Sequence, residues 1–251
     1  MTRIVVDSIG GLIDAVRSLK RETRWRWWFR GHAAAAWELR PGIHRGYSLQ
    51  QERYMAQEFR MRAGLRHGRV PPYEDYAGWL SLMQHYGLPT RLLDWSRSPL
   101  IAAFFAAEPA MAHVATAAET EACIWALAPG ALNESQGYEP LLYPLSGYKL
   151  RDLLRPAFRG DQGPERIVAA MPIESDMRMV TQLGAFTIHG SSACLDQFEG
   201  ADEWLRRLVV PADAVPRIAE ELEHLGVTLS GLFPDLGNLA RELKARYKPG
   251  S

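Results

Sequence analysis

Apolar residues recur with helical spacing at Leu12, Ile13, Val16 and Leu19, and Asp7 or Ser8 stands where a cap is needed, so a short amphipathic helix is predicted there. The run 25–30, with Trp25, Trp27, Trp28 and Phe29, predicts a buried strand that stops at Gly31. After the Pro41-Gly42 break, residues 49–66 read as a helix with Tyr54, Met55, Phe59 and Met61 among its core positions. Pro71-Pro72 opens a turn, 76–86 predicts a helix closed by Gly87, and 89–96 is a short extended segment. Ser98 as cap and Pro99 in the first turn then start a helix through 100–107. A strand is predicted at 123–127. The stretch 129–165 is rich in Pro, Gly and Tyr and reads as an irregular loop or lid. Residues 179–182 lead through Leu183-Gly184 into 185–190, a strand pair or one bulged strand. Another strand at 205–210 and closing helices at 213–225 and 235–247 complete the chain. No repeat, linker or regular βαβ rhythm interrupts this order. It predicts one α+β domain over 1–251, with small mixed or antiparallel sheets flanked by helices.

Composition narrows the setting. A chain of 251 residues can bury a sizeable core, and no stretch approaches the roughly 20 apolar residues of a membrane span. Arg3 and Asp7 fall where a signal peptide needs an apolar run, so a cytoplasmic chain with no membrane partner is expected. Cys123 and Cys194 lie far apart without companions at metal-ligand spacing. They are expected to be buried small hydrophobes, with no metal site.

The zero net charge hides a division: residues 1–70 carry 14 Lys/Arg against 6 Asp/Glu, and the remainder 15 against 23. Nearly all the cations are Arg, which suits bidentate recognition of phosphate or carboxylate; a solvated basic face is the plainer explanation. Phosphate-binding lysine loops, dinucleotide glycine fingerprints, zinc-protease motifs and nucleophile elbows are all absent.

Three polar clusters remain. Arg30 ends the aromatic strand, beside Gly31, which would let a ligand approach the backbone. The densest cluster is 84–96, gathering Gln84, His85, Tyr86, Thr90, Arg91, Asp94, Trp95 and Ser96 between a helix end and a helix start. The third is 181–186, with Gln182 and Gly184. Each has a structural alternative: an Arg30–Asp94 salt bridge, a satisfied core histidine at 85, a capping Asp94, a strand-bridging Gln182.

The three clusters together resemble the FRG-domain family. Its tripeptide stands here as Phe29-Arg30-Gly31, its second block as 84–96 followed by 99–106, its third as Gln182, Gly184 and 186–189, with 232–236 closing. The block order is in turn similar to ADP-ribosyltransferase folds, in which a first strand carries Arg or His, a second leads into a helix, and a third ends in an acid. That resemblance implies NAD as substrate and no metal. Arg30, Asp94 and Gln182 would be catalytic, and Arg30, Gly31, His85, Tyr86, Thr90, Arg91, Trp95 and Ser96 would bind NAD. Gln182 departs from the expected acid, and a neutral amide stabilises a cationic transition state less than Glu does. A nucleic-acid or protein acceptor, an antitoxin partner and a toxin or defence role belong to the same implication. Two other readings stand beside it. One is a nucleic-acid-binding or -modifying module using the basic first 70 residues and Trp25, Trp27, Trp28 and Phe29. The other is a non-catalytic ligand-sensing or interaction domain.

Overall fold

The apolar runs assemble into a single sheet, larger than the small sheets expected. The structure is a computed structural model that describes residues 3–23, 25–111, 120–172 and 177–247. Along the chain these form β1 (Arg3–Val5), α1 (Ile9–Glu22), β2 (Trp28–His32), α2 (Leu49–Ala63), α3 (Tyr76–His85), β3 (Leu92–Ser96), α4 (Pro99–Met111) and β4 (Ala122–Leu127). There follow α5 (Pro129–Ser135), β5 (Tyr143–Pro144), α6 (Arg151–Leu154), β6 (Ile167–Met171), α7 (Met177–Thr181), β7 (Gly184–His189), α8 (Ala201–Trp204) and β8 (Leu205–Val210). Helices α9 (Val215–His224), α10 (Leu229–Leu232) and α11 (Leu236–Arg246) close the chain.

The eight strands run in the order β1-β8-β4-β2-β3-β7-β6-β5. The outer pairs β1–β8 and β5–β6 are parallel and the rest antiparallel. One junction differs from its neighbours. β2 pairs with β4 at five positions and β3 with β7 at five, yet β2 and β3 share only Phe29↔Ser96. The sheet is therefore two well-laddered halves hinged at one residue pair. Two core clusters flank the sheet: Trp28, Trp125, Phe104 and Leu208 belong to one, which continues across the seam through Trp95 and Ala185, and Leu80, Met83, Phe186 and Ile188 belong to the other.

Local chemistry explains the elements beside the seam. Asp75 caps α3 by accepting from the Gly78 amide at 2.9 Å, and α3 ends where Gly87 takes a left-handed φ of 79°. Ser96 ties three elements at the other end of β3. Its hydroxyl donates to the Gln182 carbonyl at 2.8 Å and accepts from the Ser98 amide at 3.0 Å as α4 begins.

Several expectations are corrected. Residues 177–181 are helical, not extended; the chain reverses through Leu183, a non-glycine at φ 48°, before β7. The expected lid at 129–165 contains α5, β5 and α6, with Leu132, Leu150 and Leu153 fully buried, because its prolines and glycines punctuate short packed elements. On α2, Tyr54 and Met61 are exposed. That helix buries Glu52 and Arg60 instead, since each finds a partner inside.

Candidate active site

The seam between β2 and β3 opens into a cavity of about 210 Å³. Seven of the predicted residues line it: Arg30, Gly31, His85, Asp94, Trp95, Ser96 and Gln182. Three elements converge on it because β3 emerges between α3 and α4 while α7 packs across the end of β3.

Arg30 sits where a ladder bond between β2 and β3 would otherwise form. Its Nη1 donates to the Asp94 backbone carbonyl at 2.8 Å and its Nε to His32 Nε2 at 3.1 Å. The expected alternative, an Arg30–Asp94 carboxylate bridge, is thus replaced by a bond to the main chain. Burial lowers the Arg30 pKa from its ordinary value, opposed by the Asp94 carboxylate and reinforced by Arg45; guanidinium nonetheless stays protonated.

The Asp94 side chain belongs to a separate chain of bonds. Gln84 Nε2 donates to Asp94 Oδ2 at 2.6 Å, Thr90 Oγ1 donates to Gln84 Oε1 at 2.6 Å, and the Leu92 amide donates to Thr90 Oγ1 at 3.1 Å. Because Thr90 is a donor here, the Gln84 amide is fixed with its NH₂ toward Asp94. Among the described residues, Asp94 is the one carboxylate in the cavity wall. Gln182 reaches the cavity from the turn after α7, where its Nε2 donates to the Leu232 carbonyl at 3.1 Å.

Three predicted residues lie outside the cavity. Thr90 is buried behind Gln84. Tyr86 is exposed and pairs its hydroxyl with His67 Nδ1 at 3.2 Å. Arg91 is held by Glu52 through Nε at 2.9 Å and Nη2 at 2.6 Å, both side chains buried. Its fork is spent on that carboxylate, so it is a structural cation. Gly31 lines the cavity, yet the need for glycine there comes from packing: a Cβ would stand 2.0 Å from the Ala102 carbonyl oxygen of α4. Of the aromatic run, Trp27, Trp28 and Phe29 are buried and offer no stacking platform, and Trp25 is half-buried.

Sequence reasoning passed over part of the wall. Phe105 and Phe186 supply flat apolar surface, and Arg178 brings a second cation, anchored by the His85 carbonyl at 3.3 Å and by the Phe233 ring 4.5 Å away. Gln84 stands in the 84–96 cluster, and its role as the link between Thr90 and Asp94 emerges only in the fold. Nothing local marks Arg178. No group of three or more His, Cys, Asp or Glu among the described residues is placed to hold a metal.

With the seam and its residues in view, the comparison with known families is decisive on one point. Residues 25–114 match the FRG domain. The match holds the first two blocks, including Phe29-Arg30-Gly31 and 84–96, while Gln182 and the 232–236 segment lie beyond it. No curated protein and no solved structure matches the chain. The FRG segment therefore supplies β2, α3, β3 and α4, both sides of the seam.

Proposed function

We propose that this FRG-domain protein binds NAD at the seam and transfers its ADP-ribose to an acceptor. The observation that carries this reading is one carboxylate, Asp94, held by Gln84 in a cavity whose other walls are flat apolar rings and two arginines. A volume of about 210 Å³ suits a ring and its sugar, below the few hundred Å³ typical of a whole-ligand pocket. The nicotinamide ring would lie against Phe105 and Phe186, and the ADP portion would leave through the mouth.

In the reaction the bond between ribose C1′ and the nicotinamide nitrogen breaks, and its electron pair leaves with neutral nicotinamide. The sugar becomes an oxocarbenium cation. The Asp94 carboxylate, held in place by Gln84, stabilises that charge electrostatically. The acceptor nucleophile then bonds to C1′ and gives up its proton to Asp94 or solvent. Gln182 offers its carbonyl oxygen to a ribose hydroxyl, since its NH₂ is bound to Leu232. Arg30 orients the group nearest the seam.

Mass spectrometry for nicotinamide release from NAD tests this. Asp94→Asn keeps the shape and the Gln84 contact site while removing the charge, and should lower release at least about 100-fold, as loss of one transition-state electrostatic contact does. Arg30→Lys should weaken NAD binding nearly as much as Arg30→Ala, because Lys retains charge and loses the fork. Absence of NAD binding by calorimetry in the unaltered protein would end the proposal.

A further inference from the structure

A second cavity, of about 370 Å³, opens beside Arg91 where β3 begins, at the end of that strand away from the seam. It shares no wall residue with the seam cavity. Its volume lies in the few hundred Å³ of a small-ligand pocket. The walls come from the 43–48 segment, the first turn of α2, the 156–165 stretch and the 190–192 segment after β7.

Bonds within the chain hold these walls in place. Ser48 and Gln51 close a reciprocal cap on α2. One turn on, Arg53 donates to the Pro156 carbonyl at 3.1 Å and to the Asp161 carbonyl at 2.9 Å. The Gly190 amide donates to the Arg166 carbonyl at 2.8 Å. The bonds of Arg53 and Gly190 tie together wall segments distant in sequence, so the space is formed before a ligand arrives and little ordering is left to oppose binding.

Charge is cancelled on the cavity floor. Glu52 and Arg91 both line it, and each neutralises the other. His44 in the wall is uncharged at neutral pH, because burial first and Arg91 second lower its pKa to about 4. Glu165 is the remaining charge in the wall; it is exposed and therefore screened. An ionic ligand would find no uncompensated buried partner there.

The cavity offers unspent hydrogen bonding instead. The Tyr47 hydroxyl, the Gln162 amide and the Ser192 hydroxyl line it without a hydrogen bond among the described residues, and together they present both donors and acceptors. The two Glu52 oxygens each accept one bond from Arg91 and keep acceptor capacity. Ile43, Leu49 and Pro156 add apolar surface. A ring with adjacent hydroxyls on its edge and C–H groups on its faces matches both kinds of wall, since each hydroxyl donates once and accepts as well.

We infer that this second cavity binds an uncharged sugar ring, free or as the terminal unit of a glycoside. The site stands whether or not transfer of ADP-ribose occurs at the seam.

Amide nuclear magnetic resonance spectra of the full chain, titrated with D-glucose, D-galactose, D-ribose and the methyl glycoside of each, test it. Each probe is taken to about 10 mM, where a millimolar Kd is largely saturated. The expected result is saturable shifts at Gly163, Gly190 and Ser192 with at least one probe, while Gly31 and Asp94 at the seam stay unmoved. A response to the free sugar identifies the monosaccharide as sufficient, and a response to the methyl glycoside alone identifies a glycoside. The L enantiomer of the responding sugar controls for solute exclusion, which acts alike on both hands. Gln162→Ala and Ser192→Ala, both at exposed positions, should each weaken apparent affinity about 5-fold. No saturable shift with any of the six probes, equal shifts with the L enantiomer, shifts confined to the seam, or affinity unchanged in both variants overturns the site. So does saturable binding of inorganic phosphate or L-arginine at these amides in place of every sugar. NAD is absent from every arm and the seam amides are read separately, so failure here and failure of the transferase reading are distinguishable.

Discussion

Two arginines in the FRG segment show how one residue type divides between architecture and chemistry. Arg91 and Arg30 each stand at an end of a strand-forming run, Arg91 just before Leu92-Leu93 and Arg30 just after Trp28-Phe29. Arg91 meets Glu52, 39 residues away, in a fully buried bidentate pair and also donates to the Leu153 carbonyl at 2.8 Å. Arg30 meets a main-chain carbonyl and a neutral histidine, neither of which cancels its charge. The difference is invisible until the fold selects partners. It predicts opposite mutational behaviour. Glu52→Gln should cost about 3–5 kcal/mol in urea unfolding, because an uncompensated guanidinium stays buried. Replacing both members, with Glu52→Gln and Arg91→Met together, should recover much of that loss. A double variant as unstable as the sum of its parts would show that the pair does more than neutralise itself. Arg30→Ala should leave the unfolding midpoint much nearer that of the unaltered chain while altering ligand binding.

At the scale of elements, legibility followed periodicity. Helices α2 and α3, strands β4 and β8, and the closing α9 and α11 were readable to within a few residues, because their apolar spacing and caps stand in the chain itself. The convergence of Arg30, Asp94 and Gln182 on one cavity was readable too, from the separation of three polar blocks. What escaped was set by tertiary contact. The three residues of β1 have no periodic signal and exist as a strand because β8 offers a parallel edge. Residues 177–181 carry β-formers, yet helical winding lets Thr181 and Gln182 both reach the Leu232 carbonyl. The packing role of Gly31 escaped for the same reason, since α4 is distant in sequence and touches β2 in space. Gly31→Ala should therefore destabilise strongly, by more than about 3 kcal/mol, as overpacking at a backbone-to-backbone contact leaves nothing flexible to move. Circular dichroism melts would register this. A fall in ligand binding without a fall in melting temperature would instead favour the ligand-approach role expected from sequence.

The whole molecule places its buried histidines on one side of the sheet, and this makes stability depend on pH in a definite direction. Burial pushes the His32 pKa down to about 3, with Arg30 and Arg45 adding to the fall. Burial likewise takes His44 to about 4, helped by Arg91 and opposed by Glu52. His189 is held well below the usual range by burial, then by His44 and Arg30. Its Nε2 shares a hydrogen bond of 2.9 Å with Thr187 Oγ1, and Thr187 accepts from Trp95 Nε1 at 3.0 Å, so the ring is tied into the wall behind the seam. In the unfolded chain each histidine takes a proton near pH 6.5, whereas the folded chain takes none until the pH is far lower. The unfolded state thus binds more protons between about pH 6.5 and the folded values, and stability must fall as pH falls through that window. Each histidine contributes at most about 1.4 kcal/mol per pH unit. Urea midpoints measured from pH 7.5 down to 4.5 should stay level above the histidine range and decline below it. His44→Gln keeps a polar side chain and removes one proton site, so its midpoint should decline less steeply, by about one proton's worth of slope. Equal slopes for the variant and the unaltered chain would mean that His44 protonates alike in both states, and that the layer beneath the 42–47 segment admits water.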